Sequence, residues 1–442
     1  MKALLLAAAA LVALPASAQT GSPQSNTLRG GQTIAITGGT VAIGDGSAPI
    51  PNGTVVIRDG RVVAAGSGVA VPAGAQTVDA NGKWVSAGIV TGIGDLGLVD
   101  AGGVDESNDS SARQSPYSAS IDVSTAINPD TVMIANERLG GVTRAFISGS
   151  GGQSIFSGQG AVIDLGADPD PVTKARAFQT VQLGEDGARS AGGSRPAAWA
   201  ALADAFAMAQ DYRRNPAGFD GRSKDALLTR ADAQALLNVL DGKVPLVVRV
   251  ERASDIRQVL TLPARYPGIR LILAGAAEGW MVAREIAAAK VPVLAYALAD
   301  LPSSFEQLAA TESNVGRMTA AGVTVGIYFD GSGGEHVVRQ FAGNLVAITK
   351  VPGSTGLDWG KAFAAITSKP AEVMGLGNEI GSLRPGRRAD VVLWDGDPLE
   401  LSSQPQAVWI DGKPQPMTSR QRQLRDRYLN VVEGVLPKAY DR

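Results

Sequence analysis

Between residues 88 and 349 the chain repeats one pattern, a short and nearly unbroken apolar run followed by a stretch with helical spacing. The runs are Gly88 to Ile93, Val142 to Ser148, Pro245 to Val250, Ile269 to Ala274, Val291 to Ala295 and Val323 to Phe329. Helical spacing follows at Ala253 to Arg265, Gly279 to Ala289, Phe305 to Ala321 and Glu335 to Thr349. A run that is apolar throughout, rather than at every second position, belongs to a strand covered on both faces, and strands alternating with helices pair in parallel. The expected architecture is therefore α/β, a closed (β/α)8 barrel of the TIM type. Six strands are legible. The others are expected between Gly151 and Gly242, where Ala161 to Leu165 is one candidate and helices are predicted at Arg195 to Arg214 and Lys224 to Leu240. The stretches Asp100 to Pro129 and Asp168 to Gly193, rich in Ser, Gly, Asp and Asn, read as long loops of the kind that build binding sites at a barrel mouth.

Both ends of the chain are written differently. From Gln32 to Val85, Ile34, Ile36, Val41 and Ile43 alternate with small or polar residues, and the apolar runs Thr54 to Ile57 and Val62 to Ala65 flank Asp59-Gly60. Asp-Gly between such runs signals a hairpin, because both central positions of a type I′ turn need positive φ. The same grammar returns at Ala389 to Trp394 and at Ala407 to Ile410, which is closed by Asp411-Gly412. Hairpins from one end alone would leave an apolar face uncovered, so both ends are expected to build one small β-sandwich. The resulting division is 28–86 with 378–416 for the sandwich, 87–377 for the barrel and 417–442 for a tail. The tail contains the charged stretch Ser419 to Tyr428, a predicted surface helix, and then the apolar Val431, Val432, Val435 and Leu436.

Lys2 precedes an apolar run from Ala3 to Leu14, then Pro15 and Ala16-Ser17-Ala18, which reads as a signal peptide cut after Ala18. The run is shorter than the ~20 residues of a membrane span. A chain without cysteine suits an oxidising compartment, so a secreted or periplasmic location is expected. Lys and Arg number 40 against 42 Asp and Glu, a balance that gives no electrostatic reason to expect nucleic acid as a partner.

Three stretches carry a resemblance. Thr54 to Val62 (TVVIRDGRV), Gly82 to Val85 with Ala87-Gly88, and above all Gly381 to Pro398 (GSLRPGRRADVVLWDGDP) are similar to the metal-dependent amidohydrolase superfamily, over residues 32 to 416. Leu96 to Val99, Asn128-Pro129, Gly140 to Thr143 and Gly158-Gln159 resemble its imidazolonepropionase-like, signal-bearing branch. The resemblance implies a hydrolase acting on carbon–nitrogen bonds, with divalent metals at the barrel mouth held by imidazoles and a carboxylate. Zinc in such a site lowers the pKa of its water to about 7 and polarises a carbonyl.

Carried over position by position, the ligands are missing. The first-strand His-x-His falls on Ile93 and Asp95, the next histidine positions on Arg249 and Glu251, and the following one on Gly275, while the last carboxylate is matched by Asp330. Alignment register does not matter to the conclusion. The chain has one histidine, His336, and no cysteine, and a zinc site takes about three protein ligands drawn mainly from histidine. Asp95, Glu251 and Asp330 offer an alternative, an oxygen-only site for Ca or Mg, but Arg249 beside them is expected to pair with Glu251 or Asp330 instead.

His336 follows Gly331, Ser332, Gly333 and Gly334 at the start of a predicted helix, where it is expected to be solvated. The glycine-rich turn itself is a weak candidate for a ligand site, as is Gly149 to Gly152. The combined expectation is a catalytically degenerate amidohydrolase-fold protein without a cofactor. It would serve as a noncatalytic subunit, beside a catalytic homologue or a second copy of itself, or as a barrel that binds a small molecule. The alternative is a hydrolase with the carboxylate-only metal site.

Overall fold

The computed structural model describes residues 33–150, 152–219, 227–331 and 333–429. The leader at 1–18, the residue Ser332, the beginning of the helix predicted from Lys224 and the apolar residues after Asn430 lie outside these residues.

Two eight-stranded sheets organise the chain. The first joins its two ends, since the returning strand Val391–Trp394 pairs antiparallel with Trp84–Ala87. Thr33–Ala42 lies at its centre, and its register slips on either side of Gly39. Before that point it pairs with Gln76–Asp79 and after it with Trp84–Ala87. The slip lets one sheet fold over a core that includes Ile36, Val55, Val85, Leu383 and Val391. The amide of Val62 reaches the carbonyl of Arg387 at 2.9 Å and that of Ala389 reaches Gly60 at 2.8 Å, which ties the far edge back. The expected sandwich is thus a single bent sheet, not two stacked ones. Both Asp-Gly turns form with the positive φ they require, 51° and 73° at Asp59 and Gly60 and 50° and 72° at Asp411 and Gly412. The two tips also pack on each other: a Cβ on Gly60 would stand 2.9 Å from the Asp411 carbonyl.

The second sheet is a nearly closed barrel, running in order Ile89–Gly94, Val142–Ile147, Phe156–Asp164, Val172–Gln182, Leu246–Val250, Leu271–Gly275, Val293–Ala295 and Val325–Ile327. Between its first and last strands stands the turn that joins the helices Trp359–Ala364 and Ser368–Val373: Val90 donates to the Ile366 carbonyl and Ile327 to that of Ala365, each at 2.9 Å. Val90, Phe146, Phe178, Val247, Ile272 and Leu294 fill the interior, and Ala371, Met374 and Ile380 close its floor. The interior is a packed core, not a pore.

This barrel differs from eight βα repeats. Phe156–Asp164 runs antiparallel to both neighbours, making a hairpin with Val172–Gln182. The candidate Ala161 to Leu165 is the end of the first of these strands, and the second lies in a stretch read as loop, which also contains the helix Glu185–Ser190. From Thr173 to Arg176 that strand projects beyond the barrel with exposed side chains, so only Ala177 to Val181 carries a core signature. The helix Arg195–Arg214 forms as predicted, capped by Ser194. Of the helix predicted over Phe305 to Ala321 only Asn314–Ala320 forms. The residues before it are held as a loop by side chains, Glu306 accepting from the Glu185 amide at 2.7 Å and Glu278 from the Ala309 amide at 3.1 Å. The predicted helix from Glu335 begins as a 3-10 turn and continues as Val338–Ala347. The tail helix Arg420–Leu429 buries none of its residues. Among the described residues no helix is long and apolar enough to cross a membrane.

One buried cation joins the two sheets. Arg144, on the second barrel strand, places Nε 2.8 Å and Nη2 2.9 Å from the two oxygens of Asp390, and Nη2 2.8 Å from Asp411 Oδ1. Trp394 packs beside it against Gly141, where a Cβ would lie 2.6 Å from the indole, and donates from Nε1 to Ser86 Oγ at 2.8 Å. The stretch that most resembled a family in sequence is therefore the one that locks the barrel to the bent sheet.

Candidate active site

In a barrel the strand ends that face the loops make the site, and here those ends carry Gly94-Asp95, Arg249 to Glu251, Gly275 and Phe329-Asp330. The structure brings some of these residues together and separates others.

Ile93 points into the barrel interior and packs in the cluster that contains Val90, Phe146 and Tyr328. Where the resemblance assigned an imidazole, the structure has a core side chain. Arg249 reaches across the mouth to Asp330, Nη1 to Oδ1 3.5 Å, and of the two expected partners it takes this one; the Asp330 side chain is 60% exposed. Glu251 turns the other way. Its Oε2 accepts from the Ala277 amide at 2.8 Å, and its carboxyl fills the space a side chain on Gly275 would need, so that any Cβ there would collide with it. Gly275 also has φ of 90°, which favours glycine. Burial pushes the Glu251 carboxyl up to about 8, helped by the charges of Glu306 and Asp330 and opposed by the Ala277 amide and Arg249.

Asp95 stands in a different cluster, with Glu335, Glu137 and His336. Glu335 is wholly buried, and neither of its oxygens makes a hydrogen bond of good geometry. Burial first, then the charges of Glu137 and Asp95, push it up to about 8, with only weak support from the amides of Gly334 and Glu335 itself. His336 is not simply solvated. Its ring, 40% exposed, places Nδ1 3.0 Å from both oxygens of Glu137, which is 1% exposed, and its backbone amide donates to the same carboxylate at 2.6 Å. Neither Glu137 nor Glu335 was legible as a site residue. The nearest signal is a pair of glycines facing them, since a Cβ on Gly94 would lie 2.9 Å from Glu335 Oε1 and one on Gly140 would collide with His336.

The glycine-rich turn has a packing explanation. A Cβ on Gly331 would lie 2.5 Å, and one on Gly334 3.0 Å, from the Phe329 ring, while Gly333 rests on Met133.

Whether the mouth could hold the divalent metal implied by the resemblance depends on its donors. Ile93 is apolar and buried, Gly275 has no side chain, Arg249 brings a fixed positive charge paired with Asp330, and Asp95 and Glu251 belong to different clusters. Among the described residues no three His, Cys, Asp or Glu side chains are grouped so that they could hold a metal ion. The residues present do not fit the group.

Arg249, Glu251, Asp330, Gln182, Glu185 and Glu306 line a cavity of about 200 Å³ at this mouth. Arg195 braces its wall between Asp255 at 2.8 Å and Glu306 at 3.0 Å.

Residues 268–418, from the sixth barrel strand through the return to the bent sheet, match the model described as Amidohydrolase family. The matched stretch is about a third of the chain. Amidohydrolase tasK of Hapsidospora irregularis is 43% identical over 60 residues, 14% of this chain and 6% of that protein. The imidazolonepropionase of Maricaulis maris (strain MCS10) is 33% identical over 118 residues, 26% of this chain and 27% of the relative. These matches thus span less than a third of the curated relatives' own lengths. An amidohydrolase from Thermotoga maritima MSB8 superimposes with a TM-score of 0.75 at 23% identity, covering 86% of this chain and 99% of that one, a likeness of fold. The matched stretch includes Gly275 and Asp330, two of the positions to which the resemblance assigned metal ligands.

Proposed function

We propose that this protein is a noncatalytic amidohydrolase-fold protein that binds a small polar molecule at its barrel mouth, outside the cytoplasm, without a metal. The observation that carries this reading is the Arg249–Asp330 pair, a fixed cation and its counterion at strand ends where the implied hydrolase would hold imidazole and metal. Fold and function separate here, because a fold supplies the frame and the site supplies the chemistry. The frame retained around the altered site, with the Arg144 lock intact, also suits a subunit that accompanies a catalytic homologue. Protein purified without chelator is expected to contain less than about a tenth of an equivalent of any divalent metal, and added Zn, Mg or Ca should leave its melting temperature unchanged. A stoichiometric metal, retained or taken up with a rise in melting temperature, would overturn the reading in favour of the carboxylate-only hydrolase.

A further inference from the structure

Three cavities on the loop side of the barrel share their walls. One, of about 390 Å³, lies under Tyr117 and is lined by Ser115, Ser118, Ser154 and Ser157, with no charged side chain in its lining. A second, of about 610 Å³, shares Ser150, Gly152, Gln153 and Ser190 with the first. The mouth cavity of about 200 Å³ shares Gln182, Asp186 and Arg189 with the second. Gln182 stitches the ends together, its Nε2 donating to Ser157 Oγ at 3.2 Å. A single small-molecule site occupies roughly 300–1,000 Å³, so a run of three joined spaces exceeds what one compact ligand needs.

The two ends differ in chemistry. The outer end presents serine hydroxyls, each able to donate and accept, and the half-exposed ring of Tyr117, a surface for an apolar ring face. The inner end is acidic. Of its ionisable lining, Arg249 is paired with Asp330 and Arg189 with Asp186, Glu251 accepts from the Ala277 amide, and Glu306 is held by Arg195, while Glu185 lies only within 3.8 Å of that same arginine. The antiparallel strand makes this layout possible, because it brings the beginning of a strand, Phe156-Ser157, to the mouth among strand ends.

We infer that these cavities form one continuous cleft for an elongated, polyhydroxylated ligand whose ammonium group lies at the acidic inner end, an amino-sugar oligomer in chemical class. The inference rests on the proposal that the mouth binds a small polar molecule, and adds its length and its charge. Hydroxyls along the ligand meet the serines, and its amine meets Glu185, the carboxylate least committed to a partner.

Titration calorimetry with glucosamine, its trimer and the N-acetylated trimer tests this. The glucosamine trimer is expected to bind at least tenfold more tightly than the monomer and than the acetylated trimer. The exposed Gln153→Trp, at the junction of the outer two cavities, should weaken the trimer about tenfold and leave the monomer unchanged, and E185Q should weaken both amines. Both variants should melt within a few degrees of the parent. Equal binding of monomer and trimer would overturn the continuity of the cleft, and equal binding of the acetylated trimer would overturn the placement of a cation. Absence of saturable binding by a metal-free protein would overturn the inference outright while leaving the noncatalytic reading standing, since that fails only by metal uptake.

Discussion

Replacing Arg144 by methionine is expected to destabilise the protein by about 3–5 kcal/mol, the cost of breaking a buried ion pair from one side. Arg144 is 1% exposed, and its guanidinium is the counterion for three carboxylates, Asp390, Asp411 and Asp164, the last at 3.5 Å. Burial alone would push the guanidinium towards deprotonation, and the three acids overcome that and hold it charged. Asp164 already reports the tension: burial pushes it up to about 6 despite the pull of Arg144. Methionine preserves much of the volume, so the loss measured would be electrostatic and not a cavity effect. Because Arg144 ties a barrel strand to the returning strand of the bent sheet, denaturation of R144M should resolve two transitions, seen as divergence between tryptophan fluorescence and circular dichroism. The penalty should shrink as pH falls towards and below about 6, because the buried carboxylates, Asp164 first, can then take up protons and no longer need the cation. A variant within 0.5 kcal/mol of the parent at pH 7 would show that the lock contributes nothing, the outcome for an ordinary surface change.

Stability is expected to fall as pH rises from about 5 to 9, against the usual trend for a protein of this charge. Glu251 and Glu335, each with an ordinary value of 4.5, are both pushed up to about 8 in the folded chain, chiefly by burial. An acid raised on folding favours the folded state fully below its unfolded value and loses that contribution as pH climbs through the folded one. The window is therefore roughly 4.5 to 8, and a slope approaching about 1.4 kcal/mol per pH unit is expected for each proton taken up on folding. Glu335 faces Asp95, Glu137 and His336, and its ionisation would add a third carboxylate to that cluster. E335Q keeps the shape and cannot ionise. It should flatten part of the slope and stabilise the protein by a few kcal/mol at pH 9, while changing little at pH 5. Asp411, held low by Arg144 and Arg388 against its burial, acts in the other direction only as pH falls through its ordinary value of 3.8. Urea midpoints of parent and E335Q at pH 5, 7 and 9 check this; parallel curves would show that Glu335 is ionised throughout.

The sequence exposed the frame of the fold where structure is local. Strands apolar along their whole length, such as Leu246–Val250, and turns with a demanding backbone, such as Asp59-Gly60, are written in adjacent residues. Val172–Gln182 escaped because half of it stands outside the core, and the predicted helix through Phe305 failed because Glu306 and Glu278, tied to distant backbone, hold a loop where spacing favours a helix. For the site, the sequence set a limit: one histidine cannot make a histidine-held zinc centre in any register. What stands at the mouth was only half legible. The Arg249–Asp330 pair follows from strand ends facing one mouth, but the burial of Glu335 against the first strand end depends on a fold-back of some 240 residues that no local pattern encodes.

The meeting of Trp84–Ala87 with Val391–Trp394 fixes an order of events during synthesis. Some 300 residues separate the two strands, so the early one must leave the ribosome, and its neighbours with it, long before its partner exists. At about 5–20 residues per second that wait lasts tens of seconds, ample for the barrel to fold in between. Throughout it, Trp84–Ala87 presents an unpaired edge of the kind that recruits other chains. The returning strand Val391–Trp394 is thus this protein's protection against self-association, and a chain stopped short of Val391 should aggregate even with every barrel strand in place.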